Sequence, residues 1–325
     1  MFQACFAVLP VFFVIYLGVF LSDRDILPEQ AGTMLGVFVL KVALPFLILH
    51  ILAGADPVNF ARWGFWLGTI GCQVLGYAAV YWLDRMILRR GTGPATISAL
   101  NACSPNAAFV GIPIVAGLLP GNSEALLISG LVAVTPNLIF IFAQIRFDML
   151  AGYAAWSKKS GMGHLLRTFL IGNPLLLFTV LGLGLSLSGL GLWEPLDRTV
   201  ALVGYSAAPC MLLSLGLDLR ERLRMSVRRI RIRGMAYQFW LVLWKLLFLP
   251  LLCWGIMTLM GTPPLWTGVS VLTMATGSGM VASVLAQVYS TVPEEAALTT
   301  ILTNGLSMVT LTLTIYLLTM FGYFS

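Results

Sequence analysis

Apolar runs of about 20 residues recur along this 325-residue chain, and they constrain its fold more than any other feature. A run of that length crosses the hydrocarbon core of a bilayer as an α-helix. Hydrophobic residues make up 59% of the chain and charged residues 10%, whereas about a quarter of a soluble domain is charged. The sequence therefore predicts an all-α polytopic membrane protein without a soluble domain.

We predict ten transmembrane helices and number these spans in chain order. They cover residues 4–21, 32–53, 62–83, 94–119, 124–147, 171–190, 198–219, 235–259, 266–289 and 297–322. No basic segment precedes the first run, and no small-residue cleavage site follows it. We therefore expect an uncleaved helix there rather than a signal peptide.

Lysine and arginine mark the predicted cytosolic side, because cytosolic loops of membrane proteins are enriched in both. The connections after spans one, three, five and seven carry most of the 19 basic residues, whereas the opposite side has only Arg62 and Arg198. Both termini are therefore expected outside the cytosol, in a multi-pass protein of the inner or plasma membrane. The arginine-rich run Arg220–Arg233 suits contact with anionic lipid headgroups, and no nucleic-acid partner is expected.

Span four carries a polar, proline-bracketed interruption from Pro105 to Val115. Pro105 and Pro113 each remove a backbone donor, Gly111 permits unusual backbone conformations, and Asn106 brings an amide that can donate and accept. In hydrocarbon an unpaired backbone group is costly, so a span can open only where protein, water or a ligand supplies partners. This stretch is a candidate site.

The two halves of the chain carry corresponding features. Pro45 in span two and Pro209 in span seven lie in similar apolar segments, and the same offset takes Pro113 to Gly277. Gly277 belongs to the small, polar run Thr276–Gly279, the break in span nine. Paired interruptions of this kind mark the binding sites of transporters built from inverted repeats. We therefore predict a 5+5 inverted repeat in which spans four and nine are broken.

Ordered motifs in five spans resemble the auxin efflux carrier family. They are Pro105-Asn106 through Gly111-Ile112-Pro113, the Pro45 segment ending in His50, Asn173-Pro174, Ser214-Leu215-Gly216-Leu217, and Leu285-Ala286-Gln287-Val288-Tyr289. The resemblance extends from the first span to the last. It implies a ten-helix carrier whose broken spans four and nine cross at mid-membrane, related in fold to bile-acid symporters and sodium/proton antiporters.

The resemblance also implies a division of the chain. The first repeat covers residues 1–147, a cytosolic linker 148–170, and the second repeat 171–325. A scaffold, residues 1–60 plus 171–220, is implied to form a homodimer. A transport unit, residues 61–147 plus 234–325, is implied to move beside the scaffold as an elevator.

Members of this family differ in substrate, and the sequence of this chain departs from the pattern of the plant members. Plant members export the auxin indole-3-acetate, whereas bacterial members are mostly associated with dicarboxylates such as malate or malonate. This chain lacks the long central regulatory loop, has Thr276–Gly279 where a proline is expected, and carries Lys41 where relatives are apolar. These departures favour a prokaryotic member with its own substrate.

Two helix N-termini are expected to converge at the breaks, where they can hold a carboxylate without a full positive charge. The candidate substrate-binding residues are Asn106, Asn101, Gly111, Pro113, Thr276, Gly277, Ser278, Gly279 and Lys41. Simpler roles stay open for the polar members of this set. The asparagine amides can cap a broken helix or join two helices, and the hydroxyls can bond to their own helix.

Three further groups have simple structural interpretations. Lys41 is either a counter-charge for the substrate or a side chain that snorkels to the cytosolic face, and snorkelling is the interpretation for Lys245. His50 is interpreted as a structural imidazole. The five cysteines lie singly in spans, which is typical of free thiols, and neither a cofactor nor a metal is expected.

Export of small organic anions is the function that these patterns favour. An anion leaving the cytosol gains about 2.3 kcal/mol per charge per 100 mV of inside-negative potential. A sodium- or proton-coupled symporter of the same fold, a channel and a non-transporting membrane sensor remain alternatives. An enzyme is not expected, since the chain has only two histidines and lacks His-Glu-x-x-His and Gly-x-Ser-x-Gly motifs.

Overall fold

The structure, a computed structural model, describes residues 2–28, 30–150, 174–227 and 235–324. The helices in these ranges are α1 (Phe2–Asp23), α2 (Ala31–Phe38), α3 (Leu44–Ala53), α4 (Trp63–Trp82), α5 (Thr92–Cys103), α6 (Ile112–Leu118), α7 (Ser123–Leu150), α8 (Pro174–Ser188), α9 (Glu194–Tyr205), α10 (Ala207–Val227), α11 (Met235–Leu243), α12 (Leu249–Leu259), α13 (Pro264–Met274), α14 (Val281–Val288) and α15 (Pro293–Met320). Most of the predicted linker 148–170 and the arginines from Arg228 to Arg233 lie outside the described residues.

In the part of the chain that the structure describes, four π-helical turns join helices into longer rods or shape their ends. They are Val39–Ala43, Leu83–Ile87, Ala107–Gly111 and Trp244–Phe248. A π-turn inserts one extra residue into the helical ladder and often occurs at functional sites. The first and last turns connect α2 to α3 and α11 to α12 as continuous rods.

Among the described residues, five helices have the length and apolar composition needed to cross a bilayer. They are Ala31–Ala53, Ser123–Gln144, Glu194–Leu217, Met235–Leu259 and Pro293–Met320. Shorter apolar helices cover Phe13–Asp23, Ala107–Leu118 and Pro174–Ser188. The protein is therefore an all-helical, multi-pass membrane protein. The number of ten spans and their arrangement as a 5+5 repeat stay predictions.

The chain divides into two compact units. The first unit comprises residues 1–11, 62–144 and 219–325, and the second comprises residues 12–61 and 145–218. Both candidate breaks fall in the first unit.

In the second unit, α1 and α10 approach each other closely at Gly18 and Gly216. A side chain added at Gly18 would lie 2.5 Å from the carbonyl oxygen of Leu213, and one at Gly216 would collide with the carbonyl of Ile15. Small residues let two membrane helices bring their backbones into contact, which strengthens their packing. The Ser214 hydroxyl adds a 2.6 Å hydrogen bond to the Gly32 carbonyl oxygen.

The second unit also holds His50 and Lys41. The His50 Nδ1 atom lies 2.7 Å from Asp197 Oδ1, and the Tyr205 hydroxyl lies 3.4 Å from Nε2. These partners account for both ring nitrogens, in agreement with a structural imidazole. Lys41 lies in the π-turn between α2 and α3, and its side chain is exposed.

The first unit has an aromatic and thiol-rich core. The rings of Phe65 on α4 and Trp266 on α13 meet edge to face with centroids 5.1 Å apart, and the Trp266 indole donates a 2.7 Å hydrogen bond to Glu124 on α7. Cys72, Cys103 and Cys253 are buried free thiols. Half-buried Cys210 in the second unit is also free, so the prediction of free thiols is confirmed for these four cysteines.

A charged cluster beside α11 connects residues 84 and 90 with residues 237 and 295 in the first unit. Asp84, one residue past the predicted third span, is fully buried and accepts hydrogen bonds of 2.7 and 2.8 Å from the Tyr237 hydroxyl. The Arg90 guanidinium lies 3.7 Å from Asp84, pairs with Glu295 and stacks 4.6 Å from the Tyr237 ring centre. Burial raises the pKa of the Asp84 carboxyl, although Tyr237 and Arg90 favour its ionised form.

Candidate functional site

The first break separates α5 from the rod that leads into α6. The helix α5 ends at Cys103, and Ser104 has extended backbone angles of φ −92° and ψ 108°. Pro105 explains this, because a proline disfavours helical geometry in the residue before it. The π-turn Ala107–Gly111 then runs into α6.

The open part of this break is shorter than the predicted Pro105–Val115 segment. Pro113 lies in the first turn of α6, where the missing N–H of a proline has no helical partner to lose. The correspondence of Pro113 with Gly277 between the two repeats stays a prediction. The residue that faces the Thr276–Gly279 run is Pro105 rather than Pro113.

The second break separates α13, which ends at Met274, from α14, which begins at Val281. The Thr276 hydroxyl donates a 2.7 Å hydrogen bond to the Thr273 carbonyl of its own helix. This hydrogen bond to its own helix is the simpler role that the sequence left open for Thr276. The one hydrogen of the hydroxyl is therefore not available to a ligand.

The two breaks pair with each other through their backbones. Pro105 and Ser278 form an antiparallel bridge. The Asn106 N–H donates to the Gly277 carbonyl at 2.8 Å, and the Gly279 N–H donates to the Ser104 carbonyl at 2.9 Å. We call residues 104–106 and 277–279 the paired breaks. Each opened strand thus supplies the partners that the other needs inside an apolar environment.

Two glycines allow this close approach. A Cβ atom at Gly277 would lie 2.6 Å from the Asn304 Cα atom, and one at Gly111 would lie 2.8 Å from the Thr273 side chain. At Gly277 the obstacle is backbone, which cannot rotate away. Both glycines therefore shape the site by leaving room for the neighbouring helices to approach.

Asn304 on α15 organises the amides around the paired breaks. Its Nδ2 atom donates to the carbonyl oxygens of Ser278 at 2.9 Å and Thr300 at 2.8 Å. Carbonyl oxygens only accept, so this fixes Asn304 Oδ1 as the acceptor for the 2.9 Å hydrogen bond from Asn106 Nδ2. Thr303 Oγ1 accepts from the Ser278 N–H at 3.0 Å.

The same network leaves the carbonyl oxygen of the Asn106 side chain without a partner. Asn106 is 4% exposed, and its Oδ1 atom is buried and makes no hydrogen bond within the described residues. A buried acceptor without a partner costs about 1–3 kcal/mol. The site therefore contains one acceptor without a donor, Asn106 Oδ1. The Nδ2 atom of the same amide has a second hydrogen that makes no hydrogen bond in the described part of the chain.

Asn101 is used mainly to join helices. Its Nδ2 atom donates to the Ala296 carbonyl at 3.3 Å, and its Oδ1 atom accepts from the Thr300 hydroxyl at 3.3 Å. The Ser278 hydroxyl donates to the Asn101 backbone carbonyl at 2.7 Å. These contacts match the structural alternative for Asn101 and occupy the Ser278 hydroxyl as donor.

Lys245 points into the protein, so the expectation that it snorkels is wrong. The residue is fully buried, and its Nζ atom donates to the carbonyl oxygens of Met274 and Thr276 at 2.7 Å each. These carbonyls lie where α13 ends, and the end of a helix carries unpaired carbonyls and a partial negative charge. The break in span nine thus creates the site that holds the ammonium group.

The candidate residues fall into two groups by position. The first unit contains Asn101, Asn106, Gly111, Pro113, Thr276, Gly277, Ser278 and Gly279, whereas exposed Lys41 belongs to the second unit. Sequence reasoning missed Lys245 and Asn304.

Two helix starts lie at the paired breaks. The rods Ala107–Leu118 and Val281–Val288 begin there, and the first N–H groups of a helix have no partners within it. Such helix starts attract anions. No group of three or more histidine, cysteine, aspartate or glutamate side chains suited to a metal occurs among the described residues.

Comparisons with known proteins cover nearly the whole chain. A family model described as "Membrane transport protein" matches residues 4–317. A curated relative from Rhizobium meliloti (strain 1021), named "Putative malonate transporter", is 26% identical over 319 residues, which cover 96% of this chain and 94% of the relative. Both matches include the paired breaks and parts of both compact units.

Proposed function

Because the chain belongs to the membrane transport protein family, the family of the auxin efflux carriers, we propose that it exports small organic anions as a secondary transporter. The protein is a transporter and not an enzyme. Carboxylates and dicarboxylates are the proposed substrate class, and malonate is the first candidate because it appears in the relative's name. Auxin-like and malate-like acids belong to the same class.

The observation that carries this proposal is the pairing of the two breaks. Two interrupted helices that exchange backbone hydrogen bonds leave two helix starts in one neighbourhood. Each helix start contributes about 0.3–1 kcal/mol to the binding of an anion, and up to about 2 kcal/mol when partly buried. A small carboxylate can therefore be held by backbone dipoles and amides.

Lys245 supports export without a coupling cation. Carbonyl oxygens at the end of a helix are suitable ligands for a hard cation such as sodium, but the ammonium group already occupies those of Met274 and Thr276. The group that binds these carbonyls is thus part of the protein. We propose that the inside-negative membrane potential drives the anion outward.

The proposed mechanism is an elevator built on a ten-span, 5+5 repeat with both termini outside the cytosol. The first compact unit contains α4–α6, most of α7 and α11–α15, close to the set assigned to the transport unit. The second contains α2, α3, α8 and α9, which belong to the proposed dimer-forming scaffold. The run Arg220–Arg233 is proposed to contact anionic lipid headgroups.

Counterflow into proteoliposomes tests the proposal. Vesicles loaded with malonate should accumulate labelled external malonate transiently and with saturation, and an imposed potential should change the initial rate. Linear flux without exchange would indicate a channel, electroneutral flux would contradict export driven by potential, and ligand binding without any flux would indicate a sensor. A dependence on sodium, or on a proton gradient when the concentration of each ionic form of the substrate is held equal, would favour the symporter alternative.

A thermal-shift screen identifies the substrate class and the site together. The purified protein is tested against monocarboxylates, dicarboxylates and indole acids, beside Asn106→Ala and the control Asn137→Ala. The Asn137 amide donates only to carbonyls of its own helix, so its loss should leave the ligand-induced shift intact. A shift that survives Asn106→Ala unchanged would remove Asn106 from the site.

A further inference from the structure

The amides at the paired breaks fix which kind of hydrogen bond a ligand must make there. Asn304 can only accept from Asn106, because its own Nδ2 atom is committed to two carbonyl oxygens. The orientation of the Asn106 amide follows, with Oδ1 as the free atom. An acceptor of this kind is satisfied only by a donor.

A fully ionised dicarboxylate offers no such donor. Its carboxylate oxygens only accept, so a carboxylate beside Asn106 Oδ1 would place two acceptors against each other. A protonated carboxyl group instead offers one O–H and one carbonyl oxygen. These match the free Oδ1 atom and the remaining N–H of Asn106.

Resting on the function proposed above, we infer that the protein carries a dicarboxylate in its singly protonated form, whose carboxyl O–H donates to Asn106 Oδ1. The remaining carboxylate lies at the helix starts of the paired breaks. The acid proton travels with the substrate, so each turnover moves one negative charge. A dianion would move two.

Charge per substrate is the first test. Currents and labelled malonate flux are measured together in proteoliposomes at one imposed potential. One elementary charge for each malonate is expected. Two charges per malonate would overturn the inference and leave the proposed export function standing, whereas no saturable malonate flux would overturn both.

The pH profile of flux is the second test, with malonate compared with 2-fluoromalonate. Fluorine withdraws electrons and lowers the second pKa of the acid, so the singly protonated form disappears at a lower pH. At equal pH on both membrane faces, the flux of each acid should fall by half near its own second pKa. A flux that rises with pH would overturn the inference.

Titration of the protein itself must be separated from titration of the substrate. The titratable side chains on elements of the first unit packed around the paired breaks include Cys72, Tyr77, Tyr81, Asp84, Cys103, Tyr237, Lys245, Cys253, Glu294, Glu295 and Tyr316. Any of these would give both acids the same midpoint. One shared midpoint would therefore overturn the inference, because the proton would belong to the protein.

Variants locate the acceptor. Asn106→Ala should weaken binding of the singly protonated acid about tenfold and flatten the pH profile, since it removes the hydrogen bond that selects this form. Asn137→Ala should keep the wild-type profile. Thermal denaturation without ligand establishes that both variants fold, and an unchanged pH profile in folded Asn106→Ala would overturn the assignment.

Discussion

Lys245 Nζ lies 2.7 Å from the Thr276 carbonyl oxygen, at the point where span nine opens. The same amino group donates to the Met274 carbonyl oxygen, so one buried lysine holds the end of α13. In Lys245→Met both carbonyls lose their donor while staying buried. We expect the free energy of unfolding to fall by about 1–3 kcal/mol for each carbonyl left unpaired.

Thermal denaturation in detergent measures this effect. Lys41→Met is the matched control, because Lys41 is exposed and its replacement leaves no buried carbonyl without a donor. Equal denaturation midpoints for Lys245→Met and the wild type would contradict the structural role. A sodium-dependent rise in the midpoint of Lys245→Met alone would indicate that a metal cation can replace the ammonium group.

Gly277→Ala tests the close packing of the paired breaks against α15. The new methyl group would lie 2.6 Å from the Asn304 Cα atom, so α15 or the break must shift. Overpacking of this kind costs about 1–3 kcal/mol, and we expect transport to be lost. The measurements are the denaturation midpoint and the counterflow rate.

Gly305→Ala is the control for this substitution. Gly305 is the residue after Asn304 on α15, and a methyl group there meets nothing within 4 Å. Alanine also favours a helix over glycine by up to about 1 kcal/mol. Gly305→Ala should therefore match or exceed the wild-type midpoint, and an equal loss in both variants would argue against a steric cause at Gly277.

Asn304→Ala tests whether the network around Asn106 positions the ligand. The substitution removes the acceptor for Asn106 Nδ2 and the donor to the Ser278 carbonyl. We expect the half-saturating substrate concentration to rise about tenfold, because a net hydrogen bond to a charged ligand contributes about 1.5–3 kcal/mol. Initial rates of counterflow measure it.

Thr312→Ala on the same helix is the control for Asn304→Ala. The Thr312 hydroxyl is exposed and bonds only to the Met308 carbonyl of its own turn. This variant should transport with wild-type affinity. An unchanged half-saturating concentration in Asn304→Ala would show that the network is structural only.

Arg90→Gln tests the buried charge at Asp84. The folded-state pKa of Asp84 is raised, so the folded protein holds this proton more tightly than the unfolded chain does. The free energy of unfolding therefore decreases as pH rises from the ordinary aspartate pKa through the raised value. Removing Arg90 takes away a positive charge and should raise this pKa further.

Arg90→Gln should accordingly be least stable at high pH and approach the wild type as pH falls. Breaking a buried ion pair costs up to about 3–5 kcal/mol when one charge remains. Adding Asp84→Asn should restore much of the loss at high pH, because no buried charge is then left. A pH-independent loss, or no recovery in the double variant, would contradict this account.

The interruptions could be predicted from sequence because their cause is local. Pro105 and the glycine-rich run around Gly277 disrupt a helix whatever its neighbours are. In hydrocarbon such a disruption is tolerated only where other groups supply hydrogen-bond partners to the opened backbone. The length of the open segment could not be predicted, since Pro113 is compatible with both a break and the first turn of a helix.

The directions of Lys245 and Asn304 could not be predicted, because they depend on packing between distant segments. A lysine within a span can reach either toward the headgroups or inward, and the choice depends on whether unpaired carbonyls lie nearby. Asn304 lies in an uninterrupted helix, so nothing local distinguishes it. Its role appears only once Ser278 and Asn106 are packed against α15.

The bridge between Pro105 and Ser278 is made by main-chain atoms alone. Apart from Gly277, which packs against the Asn304 backbone, side chains on either strand can therefore change without removing the bonds that join the strands. This is why the second strand forms its half without a proline. Changes in the surrounding side chains can consequently alter substrate preference while the main-chain bridge between the two breaks stays the same.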